Sequence, residues 1–131
     1  INNVVSSVEL HNTMKTISLL CSFTAIETMA NLEFSYQKPE KCKDCGQLKY
    51  SISKKFRDFL LKYIGHSDQN KAKFNKLYSL RSKIVHQGSQ LETEKLFSRV
   101  PKEVEEKELL DRVEVLQIGK LSVMNWLLSN K

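Results

Sequence analysis

An arginine and a histidine stand five residues apart in the stretch Leu77–Gly88, where their side chains could act together on a phosphate ester. Histidine transfers protons near neutral pH, because its ordinary pKa is about 6.5. Arginine stays protonated, and its planar fork can hold two oxygens of a negatively charged phosphate. Arg81 and His86 are therefore candidate catalytic residues for chemistry at phosphate that needs no metal ion and no cofactor.

Arg81 and Glu27 are charged residues that lie within apolar helix faces. Arg81 comes four residues after Leu77 and three before Ile84, and Glu27 comes four after Phe23. Such spacings place residues on one side of a helix. Because charged side chains are almost never fully buried alone, we expect a Glu27–Arg81 ion pair that orients the guanidinium. A pair that only fixes the register of two helices is the alternative.

The spacing of Arg81 and His86 raises a geometric problem. At ~100° per residue, the two side chains lie ~140° apart around a straight helix. Either the helix loosens at His86, close to Gly88, or two protomers each contribute an arginine and a histidine to a shared site. Tyr78, one turn before Arg81, would line such a site or would simply be a core aromatic residue.

The spacing of Arg81 and His86 resembles the arginine–histidine signature of HEPN domains, and most closely that of the ApeA-like HEPN group. The sequence Ala25–Met29 around Glu27 is similar to the context of a glutamate on an early helix of that group. Many active HEPN members carry Asn, Asp or His directly after the arginine. This chain departs from them with Ser82, which the ApeA-like group tolerates.

The resemblance implies an endoribonuclease domain of a bacterial defence or toxin-like protein. His86 would transfer a proton as the 2′-oxygen of RNA attacks the phosphorus, while Arg81 stabilises the phosphate and Glu27 orients Arg81, with Tyr78 and Ser82 in supporting positions. HEPN domains commonly dimerise with both motifs at the interface, so the resemblance also implies a homodimer with a shared site. The alternative is a non-catalytic HEPN module that binds RNA or a protein partner.

Positive charge is concentrated in the middle of the chain. The net charge is +6, and residues 38–83 hold thirteen Lys and Arg against four Asp and Glu. A basic surface attracts polyanions, although it can equally be an ordinary solvated face. The candidates for contacts with an RNA backbone are Lys54, Lys55, Arg57, Lys76 and Lys83.

The three cysteines bear on metal binding and on the cell compartment. Cys42 and Cys45 form half of the four-ligand set of a structural zinc site, and the sequence has no second Cys-x-x-Cys pair. We therefore expect two reduced loop cysteines, with zinc as the alternative. An odd number of cysteines favours a reducing, cytoplasmic setting.

Length and hydropathy predict one helical domain that does not enter a membrane. The 131 residues suffice for a single core, and no apolar run approaches the ~20 residues that span a bilayer. Because the chain starts with Ile1 rather than Met, we expect it to be a fragment of a longer protein with other domains.

Apolar periodicity predicts an all-α, HEPN-like bundle of four to five helices with antiparallel neighbours. The helices are expected at residues 5–33, 50–64, 68–86, 102–129 and, as a short element, Leu91–Phe97. Ser67 or Asp68 would cap the third helix, and Gly88 would end it. The last helix is expected to be apolar along a leucine-rich side: Leu109, Leu110, Val113, Leu116, Leu121, Met124, Leu127 and Leu128.

Overall fold

The computed structural model describes Asn3, Lys41 and residues 14–36, 43–46, 52–88, 90–95 and 99–130. This part of the chain forms α1 (Lys15–Glu33), α2 (Ile52–Tyr63), α3 (Asp68–Gln87) and α4 (Lys102–Ser129), with a single 3-10 turn at Glu92–Glu94. No β-strand occurs among the described residues, so the predicted all-α class is confirmed. The predicted beginning of the first helix, at residue 5, lies outside the described residues.

The core is built around phenylalanines from α1, α2 and α3. Phe23, Phe56, Phe59 and Phe74 are at most 1% exposed, and the rings of Phe23 and Phe56 lie 6.1 Å apart in a tilted arrangement. Tilted ring pairs of this kind add to the stabilisation that burial alone supplies. The same core holds α3, on which both Arg81 and His86 lie, against α1 and α2.

Both ends of α3 have the caps that the sequence predicts. The Ser67 side chain accepts a hydrogen bond from the backbone N–H of Asn70, which satisfies one of the free donors of the first turn. Gly88 ends the helix with φ at 62°, a left-handed conformation that glycine adopts without steric cost. These caps fix where the helix begins and ends, and therefore where His86 stands in its last turn.

α4 meets the core with a side other than its leucine-rich one. Val115, Ile118 and Val123 are buried, whereas the leucine-rich side includes side chains that are 44–67% exposed. The small residue Gly119 lets α4 approach α1: a Cβ added there would lie 3.7 Å from the Ile26 side chain. A row of leucines would hold the two helices further apart. None of the described helices has the length and apolar character needed to cross a bilayer.

Contacts between the helices show the directions in which they run. The short turn at 64–67 makes α3 antiparallel to α2, and Arg57 of α2 donates a hydrogen bond to Asn75 of α3. Glu33, near the end of α1, contacts Lys62 near the end of α2 and Trp126 near the end of α4. These contacts show that α1, α2 and α4 run in the same general direction. The antiparallel prediction thus applies to α3 and not to α1, α2 and α4.

Candidate active site

Glu27 of α1 and Arg81 of α3 form the ion pair that the sequence predicts. Arg81 Nε lies 2.6 Å from Glu27 Oε1, and Arg81 Nη2 donates a hydrogen bond of 3.1 Å to Oε2. Only the second contact has good hydrogen-bond alignment, so Oε1 interacts mainly through charge. The two side chains are 15% and 14% exposed. The pair therefore lies at the edge of the core, and its two contacts fix the direction of the guanidinium.

Glu27 occupies one edge of the guanidinium, which changes what Arg81 can offer a ligand. Both Nε and Nη2 face the carboxylate. Among the described residues, no acceptor takes a hydrogen bond from Nη1. A ligand would therefore have to use the outer edge of the guanidinium, which carries the N–H groups of Nη1 and the second N–H of Nη2.

Tyr78 lies one turn before Arg81 and beneath its guanidinium. The Tyr78 ring centre is 5.6 Å from Arg81 Cζ and 5.3 Å from the ring centre of Phe56. Burial raises the pKa of the Tyr78 phenol above its ordinary value, although the charge of Arg81 opposes the shift. The half-buried Tyr78 side chain also lines a hollow between α2 and α3 together with Arg57 and Asn75. Tyr78 thus contributes to the core and to a surface next to Arg81.

His86 is exposed in the last turn of α3 and does not share a face with Arg81. The chain remains α-helical through Gln87, so the helix does not loosen at His86. Regular helix geometry therefore keeps the two side chains ~140° apart. Ser82, between them on the same helix, is half-buried. One protomer places the arginine and the histidine on one helix without bringing them onto a common surface.

A groove between α3 and α4 collects lysines on an apolar floor. The groove has a volume of about 500 Å³, and Leu77 and Leu80 contribute to its floor. Its rim carries four lysines and two carboxylates: Lys73, Lys76, Lys83, Lys107, Asp111 and Glu114. Lys73 forms an ion pair of 2.7 Å with Glu114 across the groove. Two of the predicted RNA-backbone residues, Lys76 and Lys83, therefore lie together.

The other predicted RNA-backbone residues lie elsewhere. Lys54 and Arg57 line a separate hollow of about 250 Å³ between α2 and α3. Lys55, half-buried on α2, lines neither that hollow nor the groove beside α4. Four of the five predicted residues thus divide between two surfaces of α3, and the groove beside α4 gathers the larger number of lysines.

Sequence reasoning missed four charged groove residues. Lys73 comes three residues before Lys76, a spacing that the sequence does show, whereas Lys107, Asp111 and Glu114 belong to a distant helix and meet α3 only in the folded chain. Burial raises the pKa of Asp111 above its ordinary value, against the opposing charges of Lys107 and Lys76. A partly buried carboxylate therefore lies among the lysines and reduces the positive charge of the groove.

The cysteine pair is only partly within the described residues. Cys42 lies outside them, and Cys45 is exposed and carries a free thiol. In the ranges that the structure describes, no group of three or more His, Cys, Asp or Glu residues is arranged to hold a metal ion.

Comparison of the chain with protein-family models, with curated proteins and with solved structures finds no match. A fold class by itself does not define an activity, since helical bundles serve many unrelated functions. Function must therefore be inferred from the residues of the site and from their geometry.

Proposed function

We propose that this chain is a metal-independent endoribonuclease domain of the HEPN type, with Arg81 and His86 as catalytic residues. The observation that supports this function best is the Glu27–Arg81 pair, which holds a cation at the edge of the core with Nη1 unoccupied among the described residues. A guanidinium held in one direction can stabilise charge on a phosphate without reorganising during the reaction.

In the proposed reaction, the RNA supplies its own nucleophile. His86 takes the proton of a 2′-hydroxyl as the 2′-oxygen forms a bond to the adjacent phosphorus. The bond from phosphorus to the 5′-oxygen breaks, that oxygen takes up a proton from water, and His86 returns its proton to solvent. Arg81 Nη1 donates to a non-bridging oxygen while negative charge accumulates there. The products are a 2′,3′-cyclic phosphate and a 5′-hydroxyl end.

A complete site requires the histidine and the arginine to come from two protomers. Within one chain, the regular helix directs His86 and Arg81 away from each other. A homodimer in which each α3 faces the other would place His86 of one protomer next to Arg81 of its partner. The groove beside α4 would guide the RNA backbone, since Lys83 lies less than one turn before His86.

Cleavage of a labelled single-stranded RNA in EDTA tests this function. We expect the wild type to cut the RNA and both Arg81→Ala and His86→Ala to lose activity by a factor of about 100 or more. His66→Ala and Arg99→Ala are matched controls, because His66 and Arg99 are exposed outside the site. Equal activity in all five proteins would identify a contaminating nuclease and reject the proposal.

A mixing experiment tests whether the site is shared. Arg81→Ala and His86→Ala proteins are each expected to be inactive alone. When the two are unfolded and refolded together, the mixture should regain up to about a quarter of the activity of the same amount of wild-type protein. In the mixed dimer, one of the two composite sites has both intact residues. No recovery, in a mixture shown to exchange subunits, would contradict a shared site.

Salt dependence of RNA binding tests the lysine groove. In a His86→Ala background that leaves RNA uncut, Lys76→Gln with Lys83→Gln should reduce the slope of log affinity against log salt by about one to two. Lys43→Gln with Lys102→Gln removes the same charge at exposed positions away from the groove and should change the slope less. Equal effects of the two pairs would mean that the groove has no special role.

A second candidate function is a non-catalytic module that binds a partner, and a specific observation favours it. Arg81 is already engaged by Glu27, and His86 lies on a different face of α3. An ion pair of this kind can serve only to hold α1 and α3 in register. This alternative predicts RNA binding or dimer formation without any cleavage product in the EDTA assay.

A further inference from the structure

The outward face of α4 is apolar along most of its length. Six of its side chains are 44–67% exposed: Leu109, Leu110, Leu121, Met124, Leu127 and Leu128. Val113 and Leu116 lie half-buried on the same side. At 100° per residue these eight residues fall within a face of about 140°. Single exposed leucines are common, but a continuous apolar face of this size is typical of a surface that another molecule covers.

The exposed area is close to what a stable interface uses. The six exposed side chains together leave open as much surface as about three fully exposed leucines. This area is on the order of 600 Å² per protomer, near the ~800 Å² per partner of a standard interface. Val113, Leu116 and the polar residues between them would add to the area. The face is therefore large enough for a specific partner.

The spacing of the apolar residues is self-complementary. Each of the eight residues has an apolar counterpart at the same distance on the other side of the helix midpoint, which falls between Ile118 and Gly119. Antiparallel pairing about that midpoint sets Leu109 opposite the partner's Leu128, Leu110 opposite the partner's Leu127, Val113 opposite the partner's Met124, and Leu116 opposite the partner's Leu121. A two-fold interface requires this property, because the same patch must fit itself.

We infer that the outward face of α4 binds the same face of a second copy of this chain, with the two α4 helices antiparallel about a two-fold axis near Ile118 and Gly119. The charges on the face fit this partner. Lys120 is the one charged residue between the apolar positions 109 and 128 on that face, and it lies opposite the partner's Gln117, so two lysines do not meet directly. A polyanion would find only one cation there.

The inference does not depend on the proposed nuclease activity. The pairing surface is on α4, whereas Arg81 and His86 are on α3. The α4 contact and the α3 contact of the proposed shared site are different interfaces, so each is tested by substitutions on its own helix. The substitutions are made at exposed positions of α4, where they leave the core of the protomer intact.

Sedimentation velocity of the 131-residue chain at micromolar concentration tests the inference. We expect the wild type to associate through α4, and we expect Leu110→Glu, which places a carboxylate against the partner's Leu127, to weaken that association at least tenfold. Leu32→Glu is the matched control, because Leu32 is 57% exposed on α1 and should not affect the dimer. Association that is equally strong in Leu110→Glu would overturn this inference alone, whereas a monomeric wild type would overturn both this inference and the shared site of the proposed function.

A charge pair tests the register. Leu127→Glu alone should weaken the dimer as Leu110→Glu does, while Leu110→Glu combined with Leu127→Lys should restore it, because antiparallel pairing sets opposite charges across the seam. A parallel pair would bring like charges together and would not recover. Circular dichroism of each variant checks that the helices remain folded, and a folded double variant that stays monomeric would overturn the antiparallel register.

Discussion

The Glu27–Arg81 pair gives the sharpest prediction about the structure, through the substitution Glu27→Gln. Exposed ion pairs contribute about 0.2–1 kcal/mol, whereas removing one partner of a buried pair costs about 3–5 kcal/mol. The two side chains are 15% and 14% exposed, which places the pair between these limits and closer to the buried one. We therefore expect Glu27→Gln to lower the free energy of unfolding by about 2 kcal/mol. In a domain of this size that corresponds to a fall in Tm of roughly 8 °C.

The matched control is the Lys73–Glu114 pair, which also joins two helices but is more open to solvent. Its Nζ–Oε1 distance is 2.7 Å, and its side chains are 44% and 36% exposed. Glu114→Gln should therefore cost about 0.5 kcal/mol or less. Urea unfolding followed by circular dichroism measures both changes on the same scale.

A double-mutant cycle separates the pair from the rest of the fold. Glu27→Gln, Arg81→Leu and the double variant should give a coupling energy of about 1 kcal/mol or more, because each single change leaves the other group without its partner. Equal costs for Glu27→Gln and Glu114→Gln, or a coupling energy near zero, would show that solvent already separates Glu27 from Arg81. The positioning of the guanidinium would then have no support.

Three further predictions concern stability. Gly119→Ala should raise stability by about 0.5–1 kcal/mol in thermal melting, because alanine favours the helix and the added Cβ would lie at an ordinary contact distance of 3.7 Å from the Ile26 side chain. A lower Tm would mean that α4 and α1 are too close at this position for a Cβ. Burial alone would raise the pKa of Glu33, but hydrogen bonds with Lys62, Tyr63 and Trp126 outweigh burial and lower it, so the stability that Glu33 contributes is present above pH 4.5 and is lost as pH falls through the folded pKa. Glu33→Gln should destabilise the protein by about 1–2 kcal/mol at pH 7, and urea unfolding at a series of pH values should show this cost shrinking as pH falls below 4.5. Burial raises the pKa of Asp111 above 3.8, so the folded protein loses stability as pH rises from 3.8 through the folded pKa of Asp111. Asp111→Asn should therefore raise Tm at pH 7, with a gain that shrinks to nothing below pH 3.8, and a gain independent of pH would contradict this reasoning.

The local features of the fold could be predicted from the sequence, because local physics decides them. Ser67 caps α3 and Gly88 ends it, since one has a side chain that accepts from a first-turn N–H and the other tolerates a left-handed backbone. The Glu27–Arg81 pair was also predictable, because a charge within an apolar face needs a partner, and each of two helices offered one.

The face of α4 that packs against the core could not be predicted from the sequence. Two sides of this helix are apolar, one rich in leucine and the other containing Val115, Ile118 and Val123. Periodicity favours the leucine side, because it weighs hydrophobic residues and ignores how closely a neighbouring helix can approach. The approach of α1 at Gly119 decides in favour of the other side.

The sequence alone determined the helical class, the ends of α3 and the charges that must find partners, because these depend on residues only a few positions apart. The tertiary structure decided which side of α4 meets the core, which lysines share a groove, and that Glu27 occupies the Nε–Nη2 edge of Arg81. Those outcomes depend on how distant helices pack, and packing is set by the combined shape of several surfaces rather than by the periodicity of any one of them.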